Sequence, residues 1–250
     1  MLQSSNIVTG EKRITTGLPG LDSLIEGGYP KGHVILLSGT PGTGKTIACL
    51  QFLSAGISLN ESVLYISTDQ PIQQLINEAK KMDIEVEQAI DSQQLRFIYL
   101  SNQTMDMYKS LEKELKEHQY QRIIIDSLTP FSEQPVWMVH DGQEHMPSTG
   151  VSSMKMPINS PQAQRAHLRY LITLLKQSAA TTLVTSEIPE GSRVLSRDSI
   201  SEFLSDGIIL LTLDTTMDRR MLTIRKMRET NHSLKTQQLV ITKQGISLRS

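Results

Sequence analysis

Residues 33–53, HVILLSGTPGTGKTIACLQFL, decide the fold. An apolar run at 33–38 leads into a glycine-rich loop, and KTIACLQFLSAGI continues from it with the character of a helix. Strand, glycine loop and helix in that order are what a phosphate loop requires. Residues 39–46, GTPGTGKT, match G-x-x-x-x-G-K-[ST]. Gly39, Gly42 and Gly44 let successive backbone N–H groups turn inward, making an anion nest at a helix N-terminus. Thr40, Pro41, Thr43 and Ile47 complete the expected phosphate cradle. Lys45 is expected to reach the β- and γ-phosphates, and Thr46 to offer a hydroxyl to Mg²⁺. The pattern arises by chance in roughly one in a hundred chains of this length, judged from average residue usage.

Outward from the loop, further apolar runs stand at 62–66, 95–99, 122–125 and 181–184, with amphipathic helical patterns at about 71–82, 105–118 and 161–178. Alternating short strands and helices predict an α/β fold: a mostly parallel central sheet covered by helices on both faces. After Phe203 the pattern changes to strand-like runs at 207–213, 220–227, 237–241 and 246–248 without helices, so an antiparallel C-terminal section is expected. Leu21, Leu24 and Ile25 lie at helical spacing between glycine breaks and predict a short helix. Residues 1–13 read as a polar tail and 14–250 as one domain. Within it, residues 129–160 hold four of the ten prolines, two of the six histidines and the only tryptophan, Trp137, and read as a long irregular loop. His140 and His145, without a third ligand beside them, make a weak metal motif.

Composition bounds the function. With 25 Lys and Arg against 26 Asp and Glu, the chain offers no basic excess for nucleic acid or anionic membranes, and 4% aromatics argue against base-stacking platforms. The single cysteine, Cys49, cannot form an internal disulfide and reads as a small buried hydrophobe. No apolar stretch approaches the ~18 residues of a membrane span, and residues 1–13 lack a signal-peptide core, so a cytoplasmic protein is expected.

A metal-side carboxylate is expected at the end of a second strand. Three isoleucines followed by Asp126 supply it, in QRIIIDSL. Together with the loop this predicts binding of ATP with Mg²⁺.

Several longer segments carry a resemblance. TGLPGLDSLIEGGYPKGHVILLSGTPGTGKT, LVTSEIPEG, SEFLSDGIILL and IRKMRETNHS occur in the order seen in KaiC-type ATPases of the RecA superfamily, over about residues 14 to 248. The resemblance implies a RecA-like core, ATP hydrolysis to ADP and phosphate, and assembly into rings, usually of six subunits, with nucleotide at the interfaces. It further implies that Lys226 and Arg228, in the K-x-R segment, reach the phosphates of the neighbouring subunit's nucleotide. Thr230, Asn231 and His232 match a stretch lying near that nucleotide. Glu187, ending a strand, falls where RecA-type proteins keep a γ-phosphate sensor.

The departures shape the expected activity. Relatives usually carry paired glutamates where this chain has Asp69 and Gln70. Asp69 is then the base for the attacking water, one methylene short, and hydrolysis is expected to be slow. Glu229 stands where many relatives have glycine. Glu202 and Phe203 replace the phosphorylated pair of two-domain relatives, so autokinase activity is not expected. Two alternatives stay open: a nucleotide-binding switch with little turnover, and a RadA-type DNA repair ATPase. The latter is disfavoured because the long loop carries one lysine, Lys155, beside Asp141 and Glu144. A protein partner is not named by any motif.

Overall fold

The computed structural model describes residues 13–100, 107–133 and 161–249. The chain begins β1 (Arg13–Ile14), α1 (Leu21–Leu24), β2 (Tyr29–Pro30), β3 (Val34–Gly39), α2 (Lys45–Ser58), β4 (Val63–Ser67), α3 (Ile72–Lys81), α4 (Val86–Asp91) and β5 (Leu95–Tyr99). It continues α5 (Met107–Glu117), β6 (Arg122–Asp126), α6 (Thr129–Glu133), α7 (Pro161–Gln177), β7 (Thr181–Glu187) and α8 (Ser201–Leu204). It closes with β8 (Gly207–Asp214), β9 (Arg219–Met227), β10 (Gln237–Thr242) and β11 (Gly245–Leu248).

A nine-stranded sheet has the order β11-β10-β9-β8-β3-β7-β6-β4-β5. From β8 to β5 every described pairing is parallel, and from β8 to β11 every one is antiparallel. The central strands are buried on both faces because their side chains alternate between two cores. Ile35 and Leu37 of β3 pack with α1 to α4, while Val34 and Leu36 pack with α5 to α8. β5 is different: as the sheet edge it buries Leu95 but exposes Arg96 and Tyr99, so it is not the two-sided strand expected. α3 buries Leu75 and Ala79 and ends on Lys80 and Lys81, which suit the negative end of the helix dipole.

Three boundaries differ from the sequence reading. Arg13 is not tail: it pairs with Pro30 in β1 and donates to Thr230 Oγ1 (2.6 Å) and Glu26 Oε2 (3.1 Å). The segment read as a loop from 129 begins instead with helix α6, whose second residue is Pro130, a favoured first-turn position. Helix α4 lies beyond the helical pattern at 71–82 and has no counterpart among the expected elements. The expected features at Trp137, His140 and His145, and the lysine at 155, lie outside the described residues.

Arg122, fully buried at the start of β6, ties the lower end of the sheet together. Its Nε donates to Glu61 (2.5 Å) and its Nη1 to the carbonyls of Thr15 (2.7 Å) and Phe52 (3.1 Å). Its guanidinium also lies 4.5 Å from the Phe52 ring centroid.

Candidate functional site

The ends of β3, β4, β6 and β7 converge at one rim of the sheet, where parallel α/β folds place their ligands. At β3 the chain leaves the strand at Gly39 and enters α2 through the loop. Gly42 (φ 80°) and Gly44 (φ 99°) take left-handed backbone that glycine alone adopts freely. A side chain on Gly44 would also strike Ile246, since its Cβ would lie 2.7 Å from that residue's Cδ1. Lys45 folds back along the loop and donates to the carbonyls of Gly39 (3.0 Å) and Thr40 (3.1 Å), with Glu187 at 3.8 Å. Burial lowers its pKa, opposed by Glu187 and Asp126. The result is a buried cation held against the carbonyls at the start of a glycine loop that leads into a helix N-terminus, a geometry suited to a polyphosphate.

Asp126 ends β6 beside the loop. Its carboxylate accepts from three hydroxyls: Thr46 (2.9 Å), Tyr65 (2.9 Å) and Thr185 (2.6 Å). The Thr46–Asp126 contact puts a neutral and an anionic oxygen side by side, a hard-donor pair that fits Mg²⁺. Among the described residues no group of three or more His, Cys, Asp or Glu gathers to hold a metal alone. Mg²⁺ would therefore draw its remaining ligands from phosphate and water, as is usual for it.

Asp69, just beyond β4, faces the same cavity, which has a volume of about 500 Å³. Its Oδ2 accepts from Ser127 Oγ at 2.7 Å. Gln70 also lines this cavity, and its backbone is fixed at the strand end, its N–H donating to Ser67 Oγ and its carbonyl accepting from that hydroxyl. A larger cavity of about 1020 Å³ lies against the edge strand β5, but it contains neither the glycine loop nor the carboxylates.

Thus Gly39 to Ile47, Asp69, Asp126 and Glu187 are brought together. Lys226, Arg228 and His232 are not. The C-terminal end of β9 pairs with the start of β8, and Arg228 N donates to Asp206 O while Asp206 N donates to Val34 O. Val34 begins the strand that Gly39 ends, so these cations lie about five residues, roughly 16 Å, from their own phosphate loop. Arg228 Nη1 pairs with Asp206 at 2.8 Å, and Lys226 Nζ donates to the carbonyl of Ser205 (2.5 Å). Burial, and then the Arg228 charge, lower the Lys226 pKa. His232 is half-buried, its Nδ1 without a hydrogen-bond partner among the described residues. Glu229 sits at φ 54°, in the left-handed region that favours glycine, and its carboxylate meets His33 at 3.2 Å. Glu202 is engaged with Leu195 N and Ser196 Oγ, while Phe203 is exposed.

Three residues that line the cavity carry no sequence expectation: Arg220, Ile241 and Ser127, the residue after Asp126. Arg220, at the near end of β9, donates to the Gly42 carbonyl (3.2 Å) and lines the cavity. Its signal was faint, because only the antiparallel pairing of β8 and β9 brings residue 220 back beside the loop. Ile241 of β10 forms an apolar wall of the same cavity. Cys49 is buried as expected, and burial pushes its thiol pKa up.

A mostly parallel sheet with this loop, these strand-end carboxylates and an antiparallel C-terminal extension defines a phosphate-loop NTPase of the RecA-like type. The chain matches the KaiC ATPase family model over residues 14–140 and 150–250, and it belongs to that family. It is 30% identical over 242 residues to the UPF0273 protein MJ1359 of Methanocaldococcus jannaschii, covering 94% of this chain and 95% of that protein. To the circadian clock oscillator protein KaiC of Synechococcus elongatus it is 27% identical over 250 residues, spanning 94% of this chain and 44% of the clock protein. The crystal structure of a KaiC-like protein, PH0186, from Pyrococcus horikoshii OT3 has the same fold, with a TM-score of 0.77 and 28% identity over 96% of this chain and 99% of that one. Among the described residues no helix is long and apolar enough to cross a membrane.

Proposed function

We propose that residues 14–250 form one ATPase domain that binds ATP with Mg²⁺ and hydrolyses it slowly, as part of a ring with nucleotide at the subunit interfaces. The observation that carries this reading is the separation of charge along the sheet. The loop, Asp126 and Asp69 occupy one rim, while Lys226 and Arg228 lie at the other end of β9, beyond reach of their own loop. Cations so placed can serve a nucleotide only if that nucleotide belongs to another copy.

Backbone amides of residues 42–46 and the Lys45 ammonium hold the β- and γ-phosphates. Thr46 and Asp126 would hold Mg²⁺, directly and through water, and the metal would neutralise charge on the phosphate oxygens. Asp69 accepts one proton from the attacking water as the new O–P bond forms. The bond from the γ-phosphorus to the bridging oxygen breaks, and ADP leaves with that electron pair. Arg220 in the same subunit, and Lys226 and Arg228 from the neighbour, balance the developing charge. Glu187, 3.8 Å from Lys45, would report on the γ-phosphate.

The test is direct. Purified protein should bind ATP, release phosphate, and sediment as a larger species with Mg-ATP than without nucleotide. Lys45→Ala should weaken ATP binding at least tenfold; unchanged affinity would reject the site. Binding and ring formation without phosphate release would replace hydrolysis with a nucleotide switch, a reading that the short Asp69 and the non-basic Gln70 favour.

A further inference from the structure

Ser127 has no part in the chemistry above, yet it is nearly fully buried and its hydroxyl is spent on Asp69. From this geometry we infer that Ser127 is a positioning residue that fixes the Asp69 carboxylate for water activation. The inference rests on Asp69 being the base.

Three observations support it. First, the Ser127 Oγ to Asp69 Oδ2 distance is 2.7 Å, a charge-assisted hydrogen bond. One carboxylate oxygen is thereby anchored, and Oδ1 is the oxygen that takes the proton. Second, Ser127 is itself held. Its N–H donates to Thr68 Oγ1 (2.8 Å), Thr68 Oγ1 donates to the Ser127 carbonyl (2.9 Å), and Thr68 N donates to the Asp126 carbonyl (2.9 Å). These bonds lace the end of β4 to the end of β6. Third, Asp69 is exposed, whereas Ser127 is 2% exposed. The serine is the buried anchor of the pair, and the carboxylate it holds is the member that reaches the solvent-open cavity.

The arrangement also sets a distance. Asp126 and Ser127 are consecutive, so the metal-side carboxylate and the anchor of the base are one peptide unit apart. Any movement of β6 carries both. A one-ångström error in a reacting group can lower a rate about a hundredfold, so a carboxylate on a short stem gains most from being held.

The test uses the full-length chain and phosphate release. Ser127→Ala should lower kcat about tenfold or more and leave the KM for ATP within about twofold, because the described hydrogen bonds of the serine go to Thr68 and Asp69 and not to the phosphate loop. Ser127→Cys, with a weaker donor of similar shape, should fall between, and it serves also if the alanine variant does not fold. The decisive measurement is a double-mutant cycle. Asp69→Ala alone should lower kcat about a hundredfold. Adding the Ser127 substitution to it should change kcat less than twofold, since no carboxylate remains to be held. If the two losses multiply instead, Ser127 acts independently of Asp69 and the positioning role is rejected. If Asp69→Ala leaves kcat unaltered, the base assignment itself is wrong and the positioning role falls with it.

Discussion

Replacing Arg228 with alanine should separate stability from catalysis, and the structure sets the size of each effect. In the isolated chain Arg228 is half exposed, and among the described residues its one ion pair is with Asp206 at 2.8 Å. Removing it strands no charge. Asp206 keeps Lys176 Nζ at 2.7 Å and the Val34 N–H at 3.2 Å. A half-exposed pair of this kind is worth at most about 1 kcal/mol. For a domain of this length, that is a fall in Tm of roughly 3 °C or less. Catalysis should respond differently. A cation supplied to the transferring phosphate is worth about 10³-fold or more, and Lys226 still supplies one, so we expect kcat to drop about 10²- to 10³-fold. ATP affinity should change little. Mixing this variant with Lys45→Ala chains, which lack a functional loop but retain Arg228, should restore activity. In randomly mixed rings about a quarter of the head-to-tail interfaces would join an intact loop to an intact arginine. The assay is phosphate release, with ring mixing verified by size. An unchanged kcat in Arg228→Ala would refute the cation's role. Absence of restoration in rings known to be mixed would refute its acting across the interface.

Other outcomes follow from single contacts. Thr46→Ala should leave nucleotide binding in EDTA near normal while removing the gain from added Mg²⁺; a retained Mg²⁺ effect would exclude Thr46 as a ligand. Gly44→Ala combines a left-handed φ of 99° with a clash at 2.7 Å and should abolish ATP binding, and normal affinity by titration calorimetry would contradict the loop geometry. Gln51→Leu removes both side-chain bonds to the Ile246 backbone (2.9 and 2.8 Å), leaving a buried N–H and C=O unpaired. It should cost about 2–4 kcal/mol in denaturant unfolding. Burial raises the Asp206 carboxyl, but Lys176, the Val34 N–H and Arg228 outweigh it and hold the pKa below the ordinary 3.8. The unfolded chain then binds that proton more tightly, so this stability is present above about pH 3.8 and is lost as pH falls through the lower folded value. Asp206→Asn should flatten the acid-unfolding curve below that pH; an identical acid midpoint would contradict the shift.

The strands were legible because their residues are apolar on both faces, and the loop because its glycines and lysine are dictated by phosphate chemistry. β3, β4, β6 and β7 fall within a few residues of the runs read from sequence. What escaped was settled by pairing rather than by pattern. β1 and β2 are two residues each, too short to show a period, and this segment is held by bonds to distant positions, from Arg13 to Thr230 and from Arg122 to the Thr15 carbonyl. α4 is a six-residue helix beyond the 71–82 pattern, set off from α3 by Asp83 at φ 58°, and it is too short to show a helical period of its own. The burial of β5 was misjudged because LRFIY reads as apolar, while only the sheet order reveals an edge. In the site, Asp126 and Lys45 could be named from local spacing. The Ser127–Asp69 bond could not, since it spans 58 positions and needs β4 beside β6.

The strand β9 shows most clearly why spacing alone underdetermines this site. Read as a sequence, 219–228 is one basic stretch, RRMLTIRKMR, and nothing divides it. In the sheet it runs antiparallel to β8, with Arg219 opposite Asp214 and Lys226 opposite Ile208. Six residues of extended chain put roughly 20 Å between Arg220 and Lys226. Arg220 bonds to its own phosphate loop, whereas Lys226 and Arg228 are secured at the opposite end by Ser205 and Asp206. On the proposed reading, one stiff strand then touches two nucleotides, its own at one end and a neighbour's at the other. A shift of β9 caused by the γ-phosphate at Arg220 would be carried along the strand to the next subunit's site. The same hydrogen-bonded ladder that stabilises the sheet would thus set how strongly adjacent sites sense each other. Loosening it, at the bulge between Ile208 and Ile209, should weaken cooperativity in ATP hydrolysis before it weakens ATP binding. Hill coefficients measured on bulge variants would test that order, and loss of binding first would contradict it.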